Sequence, residues 1–172
     1  MSSIEWPWQY SFPPFFTIQP NEETRKRQLE AWRSLVVEYH RSTRQYVLDV
    51  GEAERSPLFN NTSISRKLSS EGIVAVLETL QRRGNAEPIN KEKTRWYIYW
   101  NTLAEWGALV YSWAQDSGFT NSVCTFYEIV NTSDQEFSGM ETGVLVKALK
   151  TLERQNKAEL MMFDGNSGVK FF

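Results

Sequence analysis

Leu29, Trp32, Leu35, Val36 and Tyr39 recur at three- and four-residue spacing, the period of one helix face. Asn21 stands where an N-cap acceptor belongs, and Glu22 and Glu23 suit the first turn, so the pattern predicts a helix over residues 21–46. A short apolar run over 46–50 reads as extended; a loop at Ser56-Pro57 and a short helix near 64–68 follow. Ser69 or Ser70 then caps a second amphipathic stretch, with Ile73, Val76, Leu77 and Leu80 on one side and Gly84-Asn85 ending it. Residues 86–89 and 95–100 (RWYIYW) predict a two-stranded hairpin.

The same order recurs downstream: a helix over 103–115, a short strand over 122–125 leading into 126–130, a capped helix over 140–155, and a hairpin of 158–163 with 169–172. The recurrence extends to residue identities. Six of the fourteen positions in 76–89 match 148–161 at an offset of 72: Leu77/Leu149, Thr79/Thr151, Leu80/Leu152, Arg82/Arg154, Ala86/Ala158 and Glu87/Glu159. Upstream, Trp32, Leu35 and Val36 match Trp106, Leu109 and Val110 at an offset of 74. Three helices and a two-stranded wing in about 70 residues describe a winged helix. The expected fold class is therefore α+β, mainly α: an extended proline/aromatic N-terminal arm (1–20) and two tandem winged-helix domains (21–101 and 102–172).

Composition narrows the function. The chain has 172 residues, 41% hydrophobic and 23% charged, with net charge −2, a globular balance. A single cysteine excludes an internal disulfide and a cysteine-based zinc site, and a single histidine leaves little for metal binding, so neither metal nor cofactor is expected. His40 lies in a polar stretch and is expected to be solvated; Cys124, in an apolar strand, is expected to be an inert buried thiol. Residues 164–168 read as a hairpin turn, and Asp134-Gln135-Glu136 as a solvated loop. No arranged catalytic site emerges, and the expectation is a protein that is not an enzyme. Residues 1–20 lack a basic start and an unbroken aliphatic run, and no apolar stretch is long enough to span a bilayer, so a soluble intracellular protein is expected. The glycosylation-like Asn60-Asn61-Thr62-Ser63 and Asn131-Thr132-Ser133 accordingly read as polar loops.

Winged helices often read DNA, and charge tests that alternative. Residues 101–172 carry five basic and nine acidic side chains, net −4, which would repel a duplex. Residues 61–100 carry seven basic against four acidic, including Arg66, Lys67, Arg82 and Arg83, and Trp96, Tyr97 and Tyr99 would be the stacking surface. The competing reading packs one face of that hairpin on the helices, so no nucleic acid is expected as partner, with those four basic residues as the alternative.

The arm stands out. Residues 6–16 (WPWQYSFPPFF) hold six of the chain's 24 aromatic side chains. Rings of about 150–250 Å² each must pack on something, either the chain's own core or a groove on a partner, and the prolines favour an extended backbone that loses less entropy on docking.

Trp6-Pro7-Trp8-Gln9-Tyr10, Phe12-Pro13-Pro14-Phe15-Phe16-Thr17, Gln19-Pro20-Asn21, then Ser56-Pro57-Leu58-Phe59-Asn60-Asn61 and the terminal Gly168-Val169-Lys170-Phe171-Phe172 carry a resemblance. Over its whole length the chain resembles the small subunits of the ESCRT-II endosomal sorting complex. That resemblance implies a non-enzymatic, cytoplasmic protein, peripheral on endosomal membranes and in contact with them only indirectly through its complex. It implies two copies of this chain bound to vacuolar protein sorting-associated proteins 22 and 36, with Trp6, Pro7, Trp8, Tyr10, Phe12, Pro13, Pro14, Phe15 and Phe16 as the attachment residues. Phe16 stands where a PPxY ligand has tyrosine, so the hydroxyl of a WW-domain ligand is missing. The second winged helix is implied to recruit the ESCRT-III subunit vacuolar protein sorting-associated protein 20. A basic helix would suit its negative charge. Phe126, Tyr127 and Glu128, an aromatic pair beside a carboxylate, are the expected residues there.

Overall fold

The computed structural model describes residues 4–172. They fall into two compact units, one running through Trp100 and the other from Asn101 to Phe172.

The first unit opens with two 3₁₀ turns, Trp8–Ser11 and Pro13–Phe16, followed by helix α1 (Glu22–Thr43). Asn21 caps α1 by accepting from the Thr24 amide, and Arg44 ends it in the left-handed region (φ 54°), short of the predicted Tyr46. Strand β1 (Val47–Asp49) and a short helix α2 (Val50–Ala53) come next; the Asp49 side chain caps α2 at Glu52 N. The predicted helix over 64–68 is absent. Asn61 Oδ1 accepts from Ser63 N to start a single 3₁₀ turn, Ser65 takes a left-handed φ of 52°, and the chain pairs back as β2 (Asn60–Asn61) and β3 (Arg66–Lys67). Local side-chain bonds of this kind outcompete a short helix. Helix α3 (Ser70–Arg82) begins at the expected cap, with Ser69 Oγ accepting from Gly72 N, and β4 (Ala86–Pro88) and β5 (Arg95–Ile98) form the wing.

The second unit repeats the design as α4 (Leu103–Asp116), β6 (Val123–Thr125), α5 (Phe126–Val130), α6 (Thr142–Arg154), β7 (Ala158–Met161) and β8 (Gly168–Phe171). Thr102 and Glu105 close a reciprocal capping box at the start of α4. Each unit has a three-stranded antiparallel sheet with the last strand in the middle, ordered β1-β5-β4 and β6-β8-β7. The repeated residues occupy matching places. Ala86 pairs with Ile98 and Ala158 with Phe171, and all four are buried. Trp32 and Trp106, Val36 and Val110, and Leu77 and Leu149 are fully enclosed. Identity at these positions follows from shape, since close-packed interiors tolerate little change in volume.

Candidate partner-binding surfaces

The arm is neither fully extended nor free. Its turns are closed by Tyr10 N to Pro7 O (3.0 Å), Phe12 N to Gln9 O (2.9 Å) and Phe15 N to Phe12 O (2.9 Å). Proline holds φ near the 3₁₀ value, so the residues that bar a long helix are compatible with a single turn.

One buried side chain of α1 anchors this segment. Gln28 Nε2 donates to the carbonyls of Pro14 (3.2 Å), Phe15 (3.1 Å) and Thr17 (2.8 Å), and its Oε1 accepts from Gln19 N (3.0 Å). Trp32 Nε1 adds a bond to Phe15 O at 2.9 Å. The Phe15 ring stacks on Trp32 at 4.2 Å with 4° between planes, and Phe16 meets the same indole edge-on at 5.4 Å. Both phenylalanines are buried in the first unit's core. Burying each contributes about 1.5–3 kcal/mol. Tyr10 is clamped as well: its carbonyl accepts from Asn61 Nδ2 (2.7 Å), its hydroxyl donates to Pro57 O, and its ring stacks on Trp6 at 4.0 Å. Burial, aided by nearby Tyr39, raises the Tyr10 pKa above its ordinary value.

The predicted attachment residues therefore divide. Phe15 and Phe16 face inward, and Pro7 and Tyr10 are half-buried. Trp8 (71% exposed) and Phe12 (48%) face solvent as a pair 5.6 Å apart, beside exposed Pro13 and Pro14 and the marginally exposed Trp6. Winding the segment into turns sorts the rings into two sets, which an alternating strand would have sorted differently.

In the second unit the predicted trio also separates. Phe126 is buried, Tyr127 is 74% exposed, and Glu128 closes a capping box with Thr125 at the start of α5. Exposed Val123, Met162 and Phe163 were not singled out by the sequence reading. The signal was available in Met161-Met162-Phe163, an apolar run carried past the strand's alternation into the turn.

Of the wing aromatics expected to stack on bases, two are in the core and Tyr97 is half-buried: Trp96 is enclosed, and Tyr99 is buried with its hydroxyl donating to Glu87 Oε2 at 3.1 Å, its ionisation disfavoured by burial and by that carboxylate. Arg82 and Arg83 are engaged with Thr79 and Glu30 respectively. His40 departs from expectation. It is buried, Nδ1 donates to the Gln45 carbonyl at 2.8 Å, and burial, opposed by that bond, brings its pKa down to about 4. The left-handed turn at Arg44 folds the chain back over the imidazole, a tertiary event with no signal in the polar neighbours of His40. Cys124 is buried, and burial together with Glu128 pushes its thiol up to about 11, away from the nucleophilic thiolate. Among the described residues no group of three metal-ligating side chains forms and no helix is long and apolar enough to cross a membrane.

A family model described as ESCRT-II complex subunit matches residues 9–141. The chain is 47% identical over 175 residues to vacuolar protein-sorting-associated protein 25 of Drosophila melanogaster, covering 100% of both chains. It resembles the crystal structure of subunit VPS25 of the endosomal trafficking complex ESCRT-II with a TM-score of 0.86 and 31% identity, over 95% of this chain and 98% of that one. It also resembles a chain in the crystal structure of endosomal complex ESCRT-II (VPS22/VPS25/VPS36), with a TM-score of 0.83 and 30% identity over 96% and 98% of the two chains.

Proposed function

The chain belongs to the family of ESCRT-II complex subunits, and on that premise we propose that it is a non-enzymatic bridging adaptor anchored through one face of its arm. Its partners in this reading are VPS22 and VPS36, the subunits found with the relative in the solved complex, with two copies of this chain bound. The protein then sits in the cytoplasm, peripheral on endosomal membranes, and serves the sorting of ubiquitinated membrane proteins. Labour is divided among an arm (1–20) that attaches, a first winged helix (21–101) that holds the arm in shape, and a second (102–172) that recruits and nucleates ESCRT-III through VPS20. The net charge of −4 on residues 101–172 suits a basic partner helix, and of its three expected residues Tyr127 and Glu128 are exposed and Phe126 is buried.

The observation that carries the anchoring role is the exposed Trp8–Phe12 pair on a segment immobilised by Gln28, Asn61 and Trp32. A pre-ordered pair of large rings loses little entropy on docking, and exposed aromatics of this kind are common binding hot spots. Phe15 and Phe16 support this face from behind, and Trp6, Pro7, Tyr10, Pro13 and Pro14 shape it.

The test is capture of the VPS22/VPS36 pair by the full chain and by a Trp8→Ala/Phe12→Ala variant. Affinity is expected to fall about 30-fold or more with the melting curve unchanged. Unchanged capture would remove the anchoring role. Deleting residues 1–18 is a poorer test, because it also strips Phe15 and Phe16 from the core.

A further inference from the structure

Beside the exposed rings lies a groove of about 510 Å³ between the arm and α1, lined by Trp8, Phe12, Pro14 and Phe15 on one side and by Arg27, Gln28 and Ala31 on the other. Two features make it more than a gap. Ala31, half-buried, is the smallest of the α1 side chains that line it and leaves room for a bulky group. Arg27 is the only charged residue in its lining and is exposed, its guanidinium with no ion pair or hydrogen bond among the described residues. Glu30, three residues on, is bonded instead to Arg33 (2.5 Å) and Arg83 (3.3 Å). An apolar cleft with one unmatched guanidinium at its rim is complementary to a large apolar side chain flanked by a carboxylate.

We infer that the attachment site is composite: the groove between arm and α1 receives a partner segment in which a large apolar residue sits over Ala31 and a neighbouring Asp or Glu pairs with Arg27. The inference rests on the anchoring role proposed above and adds to it two residues outside the arm and the chemistry of the occupant. Gln28 builds the groove, because the carbonyls it holds belong to the turn that forms the opposite wall. It follows that the arm cut away from α1 would present the rings but not the site.

The experiment measures binding of the VPS22/VPS36 pair to the full chain at low and high salt, for the wild type, Arg27→Glu, Arg27→Lys and Ala31→Met. Arg27→Glu is expected to weaken binding about tenfold or more, most strongly at low salt, while Arg27→Lys retains part of the affinity. Ala31→Met is expected to weaken it by a similar factor at both salt concentrations, since methionine is a good helix former and acts by filling the cleft. Melting curves of all variants are recorded alongside. Binding of Arg27→Glu and Ala31→Met within about twofold of wild type, while Trp8→Ala/Phe12→Ala fails to bind, overturns the composite groove and leaves the anchoring role standing. If Trp8→Ala/Phe12→Ala also binds normally, the anchoring role itself falls.

Discussion

The two units carry the same repeat and complete their cores differently. In the first, the arm covers one face of α1: Phe15 and Phe16 enclose Trp32, and Leu35 is only 3% exposed. In the second, Trp106 is equally enclosed without an arm, and the counterpart of Leu35, Leu109, is 36% exposed. The helices compensate. Where α1 has Arg33, α4 has Gly107, and a Cβ there would lie 2.5 Å from Thr151 Oγ1 and 2.9 Å from the Ala148 carbonyl of α6. One repeat thus fills its core by adding a segment and the other by bringing two helices together. The added segment has an outer surface, and that surface is where the attachment site lies in our reading.

The sharpest way to break this comparison is to remove the arm's inner rings one at a time. Phe15→Ala or Phe16→Ala is expected to cost the first unit about 3–5 kcal/mol and the second nothing, read by amide exchange of α3 against α6 in the full chain. Equal loss in both units would mean the arm is not a private part of the first core.

Acid is the next discriminator, because the one histidine lies in the first unit. The His40 pKa is depressed from 6.5 to about 4 in the folded chain, so below 6.5 the unfolded chain takes up a proton that the folded unit does not. Stability of the first unit therefore falls as pH drops from 6.5 towards 4, by roughly 3 kcal/mol in all, and then levels off. Glu30 and Glu38 are held below the ordinary carboxylate value of 4.5 by hydrogen bonds from Arg33 and Arg41, opposed by slight burial, so their stabilising contribution is lost only below 4.5. The interval from 6.5 to 4.5 thus isolates His40. Denaturant unfolding across it should show the slope, and His40→Asn should flatten it whatever happens to absolute stability.

The smallest expected effect lies in the second unit. Gly107→Ala should cost it about 1–3 kcal/mol by forcing α4 and α6 apart, with the first unit unchanged. A neutral result in chemical denaturation would mean that the α4–α6 crossing has slack and does not replace the arm.

Helix caps were legible in advance because they are local: Asn21 and Ser69 accept from amides three residues on, within the same turn. The hairpins were legible because alternation of side chains is local too. The places where structure and pattern differ turn on reversals of the chain that hydrophobic periodicity does not mark. Residues 60–67 pair across a turn set by Asn61 and Ser65, and His40 is covered by the chain beyond Arg44. The arm's composition required burial against something without saying which ring would face which way. Arg27 and Ala31, an exposed arginine and an alanine on a helix, carry no signal until a wall stands opposite them.

The sequence by itself determined most of the elements, their duplication and the family. Hydrophobic period, capping chemistry and residue identity are all properties of positions near one another in the chain. Tertiary structure alone decided that Phe15 and Phe16 belong to the core while Trp8 and Phe12 do not. That choice depends on a buried glutamine bonding three carbonyls from 11 to 14 residues away, and on an indole face free to be stacked. Burial is settled by what arrives on the other side of a residue, and its chain neighbours do not specify that.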